Sequence, residues 1–320
     1  MLAVTAASAA PGDPLAALRV GEHPEPELPD GWVRVRVRAA SINRHDLWTL
    51  QGVGTKRFPM VLGCDAAGVT DDGREVVVHA VIGDPAAGGG DETLDPDVSL
   101  LSERYDGTLA EWVAVPARNV IDKPAALSWE QAGCLSTAWL TAYRMVFNRA
   151  DLPRNGRLLV QGAGGGVATA AIQLAAAAGY TVYVTSRSDE RLERAVALGA
   201  AAGVRAGGRL PERVDAVIET VGAPTWDHSL KSLVPGGTVV VCGATAGSNP
   251  PADLQRVFFR QLRIIGSTMG TRGEFEALLR FMLETGVRPV LDRVLPLSEA
   301  AAGLARVLAG DVFGKVVLVP

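Results

Sequence analysis

The spacing of apolar residues changes near residue 125, and the change divides the chain into two textures. Up to about residue 120 the apolar positions recur with period two in short runs such as "GWVRVRVRAA", "REVVVHAV" and "AEWVAVPA", separated by turns rich in glycine, proline and aspartate. This is the pattern of half-buried strands. In "VRVRVRA", Val33, Val35 and Val37 take one face and Arg34, Arg36 and Arg38 the other, which predicts a strand with a solvated arginine face and no ligand. Within this half, "IGDPAAGGGDETLDPDVSLLSERYDG" is a polar loop longer than a compact domain usually tolerates. It is expected to be functional, partly disordered, or a lobe that has lost something.

From about Leu127, helical runs alternate with the short apolar strands "RLLVQG", "TVYVTS", "VDAVIETVG", "TVVVCGA" and "LRIIGSTMG". Strand and helix in alternation predict a parallel sheet covered on both faces. After Gly286 the pattern breaks again: Ser298 and Glu299 open a helix ending near Gly310, and a last strand "GKVVLVP" follows. The tail is expected to rejoin the first domain. The division is therefore 1–122 completed by 287–320 for a β-rich domain, and 123–286 for a doubly wound α/β domain.

The sharpest local signal is "RLLVQGAGGGVATAAIQLAAAAGYTVYVTSRSDERLERAVALGA", a strand, a glycine-rich turn, a helix, a strand and a second helix. Gly162, Gly165 and Ala168 stand three residues apart, where small residues allow a tight turn, close approach of a pyrophosphate and packing of helix on strand. The helix start offers free N–H groups and the positive end of a dipole. Val167, Ala171, Leu174 and Ala178 form an apolar stripe, and Gly179 is a natural stop. Gly162, Gly165, Gly166, Val167 and Ala168 are thus the candidate dinucleotide-binding residues of a Rossmann domain. An acid that would hold the ribose of NAD is expected about 20 residues after the central glycine. Thr185, Ser186 and Arg187 occupy that place, and hydroxyls with a guanidinium suit the 2′-phosphate of NADPH. In the competing arrangement Arg187 faces solvent and Asp189 serves NAD; Ser188 as a helix cap, with Asp189 and Glu190 on the dipole, favours NADPH.

Composition narrows the partners. The 320 residues suggest about two domains at roughly 150 residues each, and a net charge of −4 gives no general attraction to nucleic acid or to an anionic membrane. Three scattered cysteines, Cys64, Cys134 and Cys242, suit reduced thiols in a cytoplasm. The N-terminus lacks the basic region of a secretion signal, and no apolar run approaches the roughly 20 residues that span a bilayer. A small apolar molecule is the expected partner.

With these motifs placed, the chain resembles the medium-chain dehydrogenase/reductase superfamily, and within it the zinc-independent, quinone-oxidoreductase-like branch. The resemblance covers almost the whole chain and lies in "AASINRHDLWTLQG", "VLGCDAAGV", "DGTLAEWVAVPARNVIDKP", "AGCLSTAWLTAYRMV", the glycine motif, "LGA" at 198–200 and the closing "GKVVL". It implies a GroES-like catalytic domain beside the Rossmann domain, and a homodimer. Zinc-dependent members hold their catalytic metal at positions matching Asn43, Cys64 and Thr137, where a neutral amide and a hydroxyl cannot replace cysteines. Their structural zinc needs four close cysteines, and the loop Ile82–Arg104 has none. An irregular site using Cys64 with His45 or Asp65 is the remaining metal alternative.

The resemblance further implies that Thr141 lies beneath the nicotinamide, that Asn43 bonds to substrate oxygen or cofactor ribose, and that His45 stands where relatives place a proton-relay hydroxyl. Histidine titrates in a range suited to proton transfer. Asp46 reads as a cap, and His23, His79 and His228 as ordinary positions. Zinc polarises the oxygen of a plain alcohol or ketone during hydride transfer, whereas a conjugated acceptor spreads its charge onto an oxygen that hydrogen bonds can hold. The expected reaction is NADPH-dependent reduction of a quinone or α,β-unsaturated carbonyl. Its alternatives are an enoyl-thioester reductase and a non-catalytic NADPH-binding protein.

Overall fold

The computed structural model describes residues 1–55 and 57–320. They form two compact units, one of Met1–Leu140 with Met269–Glu284 and Arg288–Pro320, the other of Thr141–Thr268 with Thr285–Val287. The first unit takes more chain than the sequence division at 122 and 287 assigns it, because polar contacts tie the added segments to its sheet. The Thr137 backbone N–H donates to Asp65 at 2.6 Å, and the Ala80 N–H to Ser136 Oγ at 2.9 Å. Buried His79 donates from Nε2 to the Gly270 carbonyl at 2.9 Å and packs against Phe275 of the helix Arg272–Thr285.

In the first unit the main sheet runs Val120–Asp122, Glu75–Val78, Asp65–Thr70, Trp32–Ser41, Lys315–Val319 and Leu291–Pro296, with Trp112–Pro116 also pairing with Trp32–Ser41. The tail rejoins this unit as its pattern predicts: Val317 pairs with Ser41 and Leu318 with Ala40. Val35 and Val37 are buried, Arg36 and Arg38 are exposed, and Arg34 pairs with Glu25 and Asp71 while stacking on Trp112. That is the solvated arginine face. The long polar loop is ordered. Asp95 accepts from the Asp84 and Asp97 N–H groups, Val81–Ile82 pairs with Ser99–Leu100, and buried Glu92 accepts from the Arg272 N–H at 2.7 Å.

The second unit is built on a six-stranded parallel sheet in the order Ala202–Arg205, Thr181–Ser186, Arg157–Val160, Val214–Glu219, Leu233–Val241, Arg263–Gly266. Chain order reverses between Arg157–Val160 and Val214–Glu219, the place where such sheets bind ligands outside their carboxyl ends. The helix Gly166–Ala177 buries Ala168, Ala171, Ile172, Leu174 and Ala175, a face shifted from the expected stripe. Val167 is half-buried, and Ala178 is exposed because the helix has already ended there. Gly179, at φ +83°, and Gly310, at φ +72°, provide the left-handed turns their helices need. Among the described residues no helix is long and apolar enough to cross a membrane.

Candidate functional site

In the second unit the glycine turn lies between the strand Arg157–Val160 and the helix Gly166–Ala177. Gly162 is left-handed, and Gly165 precedes the helix with open space within 4 Å where a side chain would project. The first N–H groups of a helix have no partners within it, and an opening of this kind can accept phosphate oxygens. The turn is braced from below by buried polar side chains. Thr185 Oγ1 donates to Gln161 Oε1 at 2.6 Å and accepts from the Gly162 N–H at 3.4 Å. Gln161 Nε2 donates to Ser229 Oγ at 3.0 Å and to His228 Nδ1 at 2.9 Å, so the His228 proton sits on Nε2 and goes to the Gly208 carbonyl. Ser229 donates to buried Glu219 at 2.6 Å, and Glu219 in turn accepts from the Val221 and Gly222 N–H groups and from Thr225.

Gln161 and Glu219 escape a sequence reading. The available signal is an amide and an acid at the carboxyl ends of two strands, in "LLVQG" and "VIETVG". Thr185 is a correction: its buried hydroxyl is engaged under the turn by Gln161 and the Gly162 N–H and does not face a phosphate. Ser186 and exposed Arg187 remain at the strand end. Ser188 caps the next helix by accepting from the Arg191 N–H, with Asp189 and Glu190 in its first turn, as its sequence predicts.

In the first unit a buried polar cluster occupies the matched metal positions. Lys315 Nζ donates to the Ile42 carbonyl at 3.0 Å, to Asp65 at 3.1 Å and to Asn43 Oδ1. Asp65 also accepts from Ser41 Oγ at 2.6 Å, Asn43 Nδ2 at 2.8 Å and the Thr137 N–H. Burial alone would raise the Asp65 pKa, but the ammonium and these hydrogen bonds hold it below the usual carboxylate range. Asn43 is therefore committed. Its amide donates to Asp65 and to the Ser41 carbonyl while its oxygen faces Lys315, so it braces this cluster and has no free hydrogen for a substrate.

The donor set does not fit zinc. An ammonium stands beside Asn43, Thr137 offers only a neutral hydroxyl that has no hydrogen-bond partner among the described residues, and Cys64 donates its thiol proton to the Leu101 carbonyl at 3.1 Å. The described residues contain no group of three or more His, Cys, Asp or Glu able to hold a metal ion.

His45 is the second residue of the helix Arg44–Leu50, whose N-terminus Asp46 fixes by accepting from the Asn43 N–H at 2.7 Å. Asp46 also accepts from the Gly63 N–H, and burial pushes its pKa up to about 6; it is the cap expected of it. His45 Nε2 meets Glu103 at 3.0 Å, and Nδ1 lies 3.4 Å from Cys64 Sγ. Burial lowers the imidazole pKa, but Cys64, Glu103 and Asp46 together outweigh it and carry it well above the ordinary histidine value. Burial also raises the Cys64 pKa. Against the effect of burial, the hydrogen bond from His45 in turn holds the Glu103 carboxyl below its usual range, so a carboxylate faces the imidazole. Glu103 comes from the long polar loop, which is the loop's contribution to this site. Thr141, by contrast, lies in the second unit, buried in the short α-helical segment Leu140–Tyr143 that follows the π-helical stretch Leu135–Trp139.

Comparison with known proteins follows this geometry. Residues 29–125 match the alcohol dehydrogenase GroES-like domain, and residues 166–284 the zinc-binding dehydrogenase domain. The acryloyl-coenzyme A reductase of Metallosphaera sedula is 31% identical, over 93% of this chain and 95% of its own. Among solved structures, an NAD-dependent alcohol dehydrogenase superposes with a TM-score of 0.90 at 34% identity, covering 100% of both chains. The 2-octenoyl-CoA carboxylase reductase CinF, solved with NADP and 2-octenoyl-CoA, gives 0.90 at 28%, covering 99% of this chain and 87% of its own. With both domain types present and a relative of this identity spanning nearly its whole length, the chain belongs to the medium-chain dehydrogenase/reductase superfamily and is an oxidoreductase.

Proposed function

We propose that the protein is an NADPH-dependent enoyl-thioester reductase. The observation that carries this reading is the donor set around Lys315, because an ammonium with Asn43 and Thr137 stands where zinc-dependent relatives hold the metal that polarises a plain alcohol oxygen. An enoyl thioester needs no such metal. Hydride added at its β-carbon places charge on the thioester oxygen, and a proton at the α-carbon completes the reduction. The acryloyl-coenzyme A reductase and the 2-octenoyl-CoA enzyme among its relatives favour the thioester over the quinone expected from sequence alone.

The solved relatives divide between NAD and NADP, so the local residues decide the coenzyme. Ser186 and Arg187 at the strand end, where an acid would select NADH, support NADPH. NADPH, when bound, supplies the hydride. The chain's own contributions are the glycine cradle at Gly162 and Gly165, and His45, protonated against Glu103, as the source of the α-proton.

Oxidation of NADPH with crotonyl-CoA, acryloyl-CoA, 2-octenoyl-CoA and benzoquinone, set beside NADP⁺ with a secondary alcohol, tests the reading. Turnover is expected with the thioesters and little with the others. A quinone as the best acceptor would restore the sequence expectation, and alcohol oxidation would overturn both. No turnover, with tight NADPH binding, would leave a binding protein.

Elemental analysis is expected to find far less than stoichiometric zinc, and a chelator to leave activity intact. One zinc per chain, lost together with activity, would contradict this account of Asn43, Cys64 and Thr137.

A further inference from the structure

Asp189 is the carboxylate closest in sequence to the strand end at Ser186, and it is not free. The strand Ala202–Arg205 runs parallel to Thr181–Ser186, in a register that sets Arg205 directly opposite Ser186. From there the Arg205 guanidinium crosses the turn that leads into the next helix. One nitrogen donates to the Arg187 carbonyl, and another pairs with the Asp189 carboxylate. Both side chains are more than half exposed, at 58% and 65%. Exposed ion pairs contribute little to folding, so the position of this one matters more for what it does to the field around Ser186 and Arg187.

Two effects on a dinucleotide follow. An unpaired Asp189 would offer an acceptor to the ribose hydroxyls of NADH and would repel a 2′-phosphate, and pairing with Arg205 suppresses both. Arg205 also brings a second guanidinium to the turn that carries Arg187, and guanidinium groups match phosphate oxygens two at a time. We propose that Arg205 is a specificity-determining residue for the coenzyme, holding the 2′-phosphate together with Ser186 and Arg187 and cancelling the charge of Asp189. The proposal rests on the NADPH reading given above.

Equilibrium titration with NADPH and with NADH, followed by nucleotide fluorescence, tests it without turnover. Arg187→Ala is the benchmark and should weaken NADPH by roughly 10-fold to 150-fold, the loss of one charge-assisted hydrogen bond. Arg205→Ala should weaken NADPH by roughly 10-fold, while NADH binds as well as before or better. Adding Asp189→Asn to Arg205→Ala should recover part of the NADPH affinity by removing the repulsion. Arg205→Lys should fall between Arg205→Ala and the native protein, since it keeps the charge and loses the fork. A native preference for NADPH left unchanged by Arg205→Ala would overturn the proposal alone. A native protein that binds NADH as tightly as NADPH would instead overturn the coenzyme reading on which it rests. Arg205 is exposed, and unchanged melting of its variants will show that affinity, not folding, has been altered.

Discussion

Lys315→Met is expected to lower the melting midpoint of the protein by about 10 °C. Lys315 is 3% exposed and Asp65 is fully buried, and the ammonium is the only charge bonded to that carboxylate among the described residues. Removing one partner of a buried pair typically costs about 3–5 kcal/mol, because the other charge is left without compensation. For domains of about 150–250 residues, each kcal/mol shifts the midpoint by roughly 2–4 °C. The double variant Lys315→Met with Asp65→Asn should recover much of the loss, since a neutral amide in that place strands no charge.

The pH dependence has a definite sign. In the native protein the Asp65 pKa is depressed, so its contribution is present above the unfolded pKa and is lost as pH falls through the folded value. In Lys315→Met, burial without the ammonium raises that pKa, so the carboxylate protonates early and its penalty disappears in acid. The gap between native and variant midpoints should therefore be widest near neutrality and close toward low pH. Calorimetry showing a small gap that does not vary with pH would mean that the pair does not hold this unit together.

His45→Gln should lower kcat with the best enoyl thioester by about 10²-fold to 10⁴-fold, the range for loss of a general acid. His45 is suited to that work because its raised pKa leaves it protonated at neutral pH, with Nε2–H on Glu103. As the acid, it should make kcat decline once pH rises through its own pKa. Glu103→Gln removes the charge that favours the imidazolium, so it should move this decline to lower pH while costing less at the acidic end. An unchanged kcat in His45→Gln would remove the residue from proton delivery and leave water as the donor.

Much of the fold was legible because it depends on local periodicity. "VRVRVRA" declares its two faces, Ser188 and Gly310 mark helix ends, and the glycine turn needs only its own neighbours. The inward turn of Thr185 was not legible. In "TVYVTS" both faces of the strand are covered, so alternation carries no information about which side meets a ligand. Asn43 was identified as a site residue, yet its role changed, since the group that occupies its oxygen is a lysine 272 positions away. Glu103 and Arg205 were missed for a related reason. Each reaches its place through pairing between segments, His45 with the long loop and Ser186 with the adjacent strand, and neither contact leaves a spacing in the sequence.

The return of Lys315–Val319 to the strand Trp32–Ser41 also has a consequence for biosynthesis. Asp65 leaves the ribosome 250 residues before the lysine that neutralises it, and the edge at Ala40 and Ser41 waits longer still for Leu318 and Val317. The parallel sheet of the second unit is contiguous from Arg157 to Gly266 and can close while synthesis continues. The first unit must hold an unpaired strand edge and an uncompensated carboxylate until the final strand emerges. The nascent chain is thus exposed to aggregation and to chaperone binding at the edge beside Ala40 and Ser41 and at Asp65, and that exposure ends only when Lys315–Val319 arrives.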